Sequence, residues 1–379
     1  MGSGIAQVAA VQGHDVVIAD ADASALDRGR SALEKAVNRE VEKGRLEAAA
    51  AHDLLARVSF APVPTTGPLT PFAQCDLVIE AIVERLDVKR DVFTRLESAV
   101  SADCVLGSNT SSLPIAGIAS ACHHPERVLG VHFFNPAPVM PLVEIIPWIG
   151  TAERVSASTR TLLDGWQKAT VIASDTPGFI VNRIARPFYG EALRIMDEGI
   201  ANPPTIDWAM RALGGFRMGP FEVMDLIGHD VNFAVTSSVF AGFYYDRRYT
   251  PSVSQQRLVE AGLLGRKTGR GFYDYRGDAP RPEPTTDREL GAQVLERILV
   301  MLINEAVDAV QWRVASPADI ELAMTKGVNY PKGLLAWGQE LGWPRVLSRL
   351  SSLQEEYGED RYRPSALLKR IVREGRTPW

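Results

Sequence analysis

Over the first half of the chain, short apolar runs rich in β-branched residues alternate with longer stretches whose apolar positions recur every three or four residues. Val16-Val17-Ile18-Ala19-Asp20, Leu77-Val78-Ile79-Glu80-Ala81, Val105-Leu106-Gly107, Val128 to Phe134 and Leu142 to Ile146 are predicted to be buried strands. Residues 4–12, the charged region from Asp22 to about Ala51, and Arg85 to Val100 carry helical spacing, while Pro62 to Pro71 is a turn-rich connection. Past Val171-Ile172-Ala173 the composition shifts. A Pro-Gly turn in Asp175-Thr176-Pro177-Gly178-Phe179-Ile180-Val181-Asn182-Arg183 leads into a long helix expected from Phe179 onward. The change from α/β to all-helical organisation therefore falls near residue 175.

The helical part repeats itself. A shift of 114 positions pairs Glu191-Ala192 with Glu305-Ala306, Ile206 with Ile320, Ala209-Met210 with Ala323-Met324, Gly219 with Gly333 and Gly228 with Gly342. One register held over such a span indicates two copies of a helical module. At the place of Asn182 the second copy has Glu296, and it lacks the Pro-Gly-Phe turn, so its role is expected to be structural.

At the other end, a small-residue helix followed by a strand that ends on Asp20 is the second half of a βαβ dinucleotide site. The Asp20 carboxylate can accept both ribose hydroxyls of an adenosine and would repel a 2′-phosphate, which favours NAD over NADP. Met1-Gly2-Ser3-Gly4 is then the tail of a glycine-rich turn, with the Gly2 amide among those that face the pyrophosphate. The first strand and the first two glycines of the fingerprint are missing from this chain, a segment of roughly 15 to 20 residues. A late start, for instance at an internal methionine, is expected in preference to a truncation that impairs cofactor binding. The expected layout is a Rossmann-type NAD-binding domain over residues 1–174, a first helical module over 175–276, a linker over 277–287 and a second helical module over 288–379.

Composition narrows the function only by exclusion. A net charge of −5, with 46% hydrophobic and 23% charged residues, gives no electrostatic case for nucleic acid or an anionic membrane. No apolar run approaches the roughly 18 to 20 residues that span a bilayer, and the N-terminus lacks the basic region of a secretory signal. Cys75, Cys104 and Cys122 show no metal spacing and read as core thiols of a cytoplasmic protein. Arg28, Arg30, Lys35, Arg39, Lys43 and Arg45 suit a solvated helix face, or a basic rim for a phosphorylated substrate with Lys43 and Arg39 foremost.

The candidate chemistry centres on His132 and Glu144, which the Pro-rich turn between two apolar runs should bring near the ends of adjacent strands. A carboxylate on one ring nitrogen fixes the tautomer and stabilises the imidazolium formed when the other accepts a proton. The competing reading is a satisfied core histidine beside an unrelated glutamate. Glu84 and Lys89 lie just past a strand end, where open α/β sheets bind ligands. Ser108-Asn109-Thr110-Ser111-Ser112 could cap a helix or direct hydroxyls into the same crevice.

Gly2-Ser3-Gly4-Ile5-Ala6, Ser108 to Ser112, His132-Phe133-Phe134-Asn135-Pro136 and Asp175 to Arg183 resemble, in order and across the whole chain, the signatures of the 3-hydroxyacyl-CoA dehydrogenase family. With the duplicated module and Gly265-Arg266-Lys267-Thr268-Gly269, the likeness is strongest to the two-module bacterial branch of 3-hydroxyadipyl-CoA and 3-hydroxybutyryl-CoA dehydrogenases, enzymes of phenylacetate and fatty-acid breakdown. The resemblance implies NAD as cofactor and an acyl-CoA as substrate. It implies His132 as base, Glu144 as the carboxylate orienting it, and Ser111 and Asn182 as hydrogen-bond partners of the substrate oxygens. Asp20, Glu84, Lys89, Ser111, Asn135 and Lys267 fall at cofactor contacts, and Lys43 at a CoA contact. A β-hydroxyacid dehydrogenase would place a lysine in the helix after the Pro-Gly-Phe turn, where this chain has none. A non-catalytic relative of the same family is the remaining alternative. The short linker could let the second module mimic a dimer contact, giving either a monomer with an internal pseudo-dimer or a homodimer. Arg183, Arg186 and Arg217 could each read a carboxylate on the acyl tail, and the sequence ranks none of them.

Overall fold

The computed structural model describes residues 1–277, 279–280 and 282–379; Asp278 and Arg281 of the expected linker lie outside the described residues. Two compact units are present, Met1–Asp175 and Thr176–Trp379.

The first unit opens with α1 (Gly2–Val11), followed by β1 (Val16–Asp20), α2 (Ala23–Glu42), α3 (Ala48–Ala56) and β2 (Val58–Pro62). β1 and β2 form a parallel pair of their own. Then come β3 (Leu77–Glu80), α4 (Leu86–Glu97), β4 (Val105–Ser108), α5 (Ile115–Ala119), β5 (Val128–Phe133), β6 (Leu142–Pro147), α6 (Glu153–Gly165) and β7 (Ala169–Ile172). These five strands pair in the order β3-β4-β5-β6-β7, parallel throughout except for the antiparallel β5–β6 step. That step follows from the Pro-rich turn at 134–141, too short for a crossover helix. Ile5 and Val8 of α1 share one buried cluster with Leu129, Val131 and Phe133 of β5 and with Val143 and Ile145 of β6. Each such side chain contributes about 1.5–3 kcal/mol when fully buried, so His132 and Glu144 sit on a rigid frame.

Two local expectations are corrected. The stretch 58–62, absent from the expected strands, pairs along β1 from Val16↔Val58 to Asp20↔Pro62. The charged helical region is two helices, because the chain leaves α2 at Lys43 and turns through Gly44 at φ +64° before α3.

The second unit begins with α7 (Val181–Ile184) and α8 (Arg186–Asp197). The helix expected from Phe179 starts two residues later, since Gly178 and Phe179 occupy positive φ, +74° and +47°. α9 (Pro203–Trp208), α10 (Pro220–Ile227), α11 (His229–Gly242) and α12 (Val253–Glu260) complete the first copy. α13 (Arg288–Gln311), α14 (Pro317–Gly327), α15 (Leu334–Leu341), α16 (Trp343–Tyr357) and α17 (Ala366–Glu374) form the second. No helix among the described residues is long and apolar enough to cross a membrane. The copies meet through buried ion pairs with exchanged roles: Arg183 Nε reaches Glu305 Oε1 at 2.6 Å, and Arg297 Nε reaches Glu191 Oε2 at 3.1 Å.

Candidate active site

His132 and Glu144 are direct register partners across the β5–β6 pair. Both face the same side of the sheet, as alternation requires of opposed residues. His132 Nδ1 lies 2.7 Å from Glu144 Oε2. Glu144 is fully buried and His132 is 6% exposed. An ionised carboxylate can only accept, so Nδ1 carries the hydrogen and Nε2 keeps its lone pair for a proton. The Phe134 ring stands 4.6 Å from the imidazole and restricts its rotation. A buried, oriented imidazole with a basic nitrogen is suited to taking a proton from an alcohol.

The ends of β3 and β4 carry a second polar network. Glu80 and Ser108 are register partners, and Ser108 Oγ donates to Glu80 Oε2 at 2.7 Å. Lys89, on α4 and 1% exposed, reaches Glu80 Oε1 at 2.7 Å and Glu84 Oε2 at 3.2 Å. Glu84 Oε1 in turn accepts from Thr110 Oγ1 at 2.6 Å and from the amides of Ser111 and Ser112 at 3.0 and 3.2 Å. Burial opposes the Glu84 charge, but the Thr110 hydroxyl, the Lys89 ammonium and the Ser111 amide outweigh it and hold the carboxyl below its usual range. Asn109 Oδ1 accepts from the Phe133 amide at 2.8 Å, tying this loop to the residue after His132. The network therefore sets the backbone from which Ser111 projects.

Lys89, expected at the cofactor from its place past a strand end, has its ammonium buried between the Glu80 and Glu84 carboxylates, and so also positions Glu84. Glu80, Ser108, Asn109 and Thr110 carry this geometry; the sequence offered Ser108 to Thr110 as part of a helix cap or as polar groups directed into the crevice, and gave Glu80 no role. Their signal was present: polar residues closing two adjacent apolar strands, at the edge where α/β sheets bind ligands.

Asp20 ends β1 with an exposed side chain whose Oδ1 accepts from the Asp22 amide at 2.9 Å. At the start of α1 the Met1 side chain makes no capping hydrogen bond, and among the described residues nothing lies within 4 Å of a Cβ built on Gly2. The amides at the start of α1 and the exposed carboxylate closing a parallel strand fit the pyrophosphate and adenosine ribose of NAD. Asn135 immediately follows Phe134 at the end of the β5 segment. Lys43 closes α2 and sits 3.6 Å from Glu40, a solvent-exposed pair that leaves it available at the surface.

In the second unit, Asn182 lies in the single turn of α7, and its backbone oxygen accepts from Arg186 Nε at 2.7 Å. Lys267 occupies a short 3₁₀ turn and reaches both oxygens of Asp230, at 2.5 and 2.6 Å. Burial acts against the Asp230 charge, yet the hydrogen bond and charge of Lys267 hold its carboxyl below the usual range.

Residues 1–176 match the family model for the 3-hydroxyacyl-CoA dehydrogenase NAD binding domain, and residues 178–275 and 294–378 match that for the C-terminal domain. The chain is 40% identical to 3-hydroxyadipyl-CoA dehydrogenase of Escherichia coli K12, with 97% of this chain and 94% of the relative covered. It is 39% identical to 3-hydroxybutyryl-CoA dehydrogenase of Bradyrhizobium diazoefficiens, over 74% of this chain and 94% of that protein. Among solved structures, 3-hydroxybutyryl-CoA dehydrogenase from Escherichia coli K12 matches with a TM-score of 0.92 and 38% identity, covering 99% of this chain and 97% of that one.

Proposed function

The chain belongs to the 3-hydroxyacyl-CoA dehydrogenase family, and from that premise we propose how its own residues oxidise an L-3-hydroxyacyl-CoA to the 3-ketoacyl-CoA. NAD, when bound, accepts the hydride that leaves C3. His132 Nε2 takes the proton of the C3 hydroxyl as that hydride departs, so that a free alkoxide, far too basic to form in water, never accumulates. Glu144 offsets the positive charge that appears on the ring and keeps Nε2 as the acceptor. Ser111 and Asn182 donate to the oxygens on which negative charge develops. Asp20 holds the adenosine ribose and the Gly2 amide the pyrophosphate, with Glu84, Lys89, Asn135 and Lys267 completing the cofactor set and Lys43 meeting the CoA.

The observation that carries this reading is the 2.7 Å contact between His132 and a fully buried Glu144. The experiment is NADH-linked turnover of acetoacetyl-CoA by the wild type and His132→Gln. Turnover should fall by about 10²–10⁴-fold, with NAD affinity nearly unchanged. Turnover within a few-fold of wild type removes His132 from the mechanism.

The same reading gives a monomer whose second module makes, within one chain, the contact that single-module relatives make between chains. Its support is the exchange of Arg183–Glu305 for Arg297–Glu191, the pattern of a two-fold interface. Light scattering at the mass of one chain is the expected result, and an obligate dimer would reject it. Three free cysteines support a reducing, cytoplasmic location.

A further inference from the structure

Arg186 is 6% exposed, and among the described residues no carboxylate pairs with it. The other buried arginines of this unit, Arg183, Arg297 and Arg361, each meet carboxylates. Arg186 is satisfied only by neutral oxygens: Asn182 O at 2.7 Å, Thr236 Oγ1 at 2.9 Å and Asn232 O at 3.5 Å. Its Nη2 has no protein acceptor among the described residues. A guanidinium out of water without a counter-ion is costly, and proteins seldom keep one without a use.

A second buried donor is unpaired beside it. Tyr330 is 6% exposed, and its hydroxyl has no hydrogen-bond partner among the described residues. Tyr189 and Tyr330 are the ionisable side chains whose charge bears on Arg186, and the Tyr189 ring lies 5.0 Å from its guanidinium carbon. Burial pushes both hydroxyls up from their ordinary value, so they remain protonated donors. The fold itself does not require these groups. At the places matching Arg186 and Tyr189, the second copy carries Val300 and Ile303, both buried. Tyr330 corresponds to Phe216, which it meets edge-on with ring centroids 5.0 Å apart, so a plain phenyl packs equally well there.

The three arginines left unranked by the sequence are thereby separated. Arg183 is committed to Glu305 and Asp308, Arg217 is exposed, and Arg186 alone of the three is buried without an anion. It follows Asn182 by four residues, roughly 6 Å along a helix. We propose that Arg186 and Tyr330 bind a carboxylate at the far end of the acyl chain, making the substrate a short dicarboxylic 3-hydroxyacyl-CoA. This rests on Asn182 meeting the C3 oxygen in the dehydrogenase reading above. It also gives the second module a part in substrate choice, through Tyr330.

The test compares kcat/KM for 3-hydroxyadipyl-CoA with that for 3-hydroxyhexanoyl-CoA, which has the same carbon count without the terminal carboxylate. The wild type should favour the former by about 10²-fold. Arg186→Met should bring that ratio to about one, and Tyr330→Phe, which removes only a hydroxyl, should lower it about 10-fold. A ratio is independent of the fraction of enzyme folded; should Arg186→Met be inactive on both substrates, Tyr330→Phe decides. A wild-type ratio near one, or ratios in the variants within about twofold of wild type, overturn the tail site and leave the dehydrogenase reading standing. A wild type that oxidises neither substrate overturns that reading itself.

Discussion

The two helical modules keep the same skeleton and differ in what they mount on it. Asp207 accepts from the Phe221 and Glu222 amides at the start of α10, and Glu321 does the same for Leu335 and Ala336 at the start of α15. An i,i+4 hydrogen bond crosses from α10 to α11 between Asp225 and His229; its counterpart from α15 to α16 joins Gln339 and Trp343. Tyr249 donates to Glu305 as Tyr362 does to Glu191. Against this, Asn182 faces no equivalent but Glu296, a surface carboxylate held by Arg345 and Arg349. Arg186 and Tyr189 are replaced by Val300 and Ile303. What both copies retain is framework, and what only the first retains is available for chemistry.

The sharpest test of the shared framework is its buried ion pairs. Glu305→Gln and Glu191→Gln should each cost about 3 kcal/mol, because each removes one of the carboxylates that neutralise two guanidinium groups, leaving Asp308 alone for Arg183 and Arg248, and Glu198 and Glu359 for Arg297 and Arg361. Denaturant unfolding should give values that agree to about 1 kcal/mol; a larger gap would break the symmetry. Burial opposes the Glu305 charge, but Arg183 and Arg248 prevail and hold its carboxyl below the usual range. Its folded value is thus lower than its unfolded one. The stabilisation is complete above the unfolded value near 4.3 and is lost as pH falls through the folded value. Glu305→Gln should remove that part of the acid sensitivity.

The complementary test is at the divergent position. Asn182→Ala should lower kcat by about 10²–10³-fold, the effect of removing one donor to a developing oxyanion. Glu296→Ala should leave kcat within about twofold of wild type and cost less than about 1 kcal/mol, since it breaks only exposed ion pairs. Equal kinetic losses from both changes would mean that Asn182 acts through folding.

Backbone geometry offers a smaller contrast. Gly228 and Gly342 both adopt positive φ, +99° and +84°. Alanine should cost about 1–3 kcal/mol at either place. Only at Gly228 would the new Cβ press on Lys267 Nζ and Asp230 Oδ1, each 2.8 Å away; at Gly342 nothing lies within 4 Å. Gly228→Ala should therefore also raise the KM for NAD, and Gly342→Ala should not. A KM change in both would detach Lys267 from the cofactor.

The repeat was readable because glycines demanded by a close approach or a positive φ recur at one spacing, so Gly219 aligns with Gly333 and Gly228 with Gly342 without structural help. His132 and Glu144 were readable because two apolar runs around a short turn leave one simple pairing. The reciprocal arginine pairs were not, since no local pattern says which of many arginines turns inward. The repeat also shortens by one residue before Arg248 and Tyr249, which match Arg361 and Tyr362, so a single fixed shift misses them. The burial of Lys89 was hidden for the same reason: a lysine past a strand end looks exposed until two neighbouring carboxylates bury it.

The smallest expected difference lies in the caps. Gly219 and Gly333 exist to admit the capping acids, since a Cβ at either would fall within 2.2 Å of a carboxylate oxygen. Loss of a cap costs about 1–2 kcal/mol, so Asp207→Ala and Glu321→Ala should both weaken the fold by that amount. Asp207 should cost about 1 kcal/mol more, because Oδ2 also accepts from the Tyr273 hydroxyl at 2.7 Å, a bond the second copy lacks. Asp207 differs in a second way. Burial pushes its carboxyl up to about 7, against the hydrogen bonds from Tyr273 and Phe221. Here the folded value lies above the unfolded one, so the native state binds the extra proton and stability falls as pH rises from roughly 4 to 7. Wild type should thus lose stability relative to Asp207→Asn between about pH 4 and 7. A difference independent of pH would mean that the three donors keep Asp207 ionised, and that the two caps work alike after all.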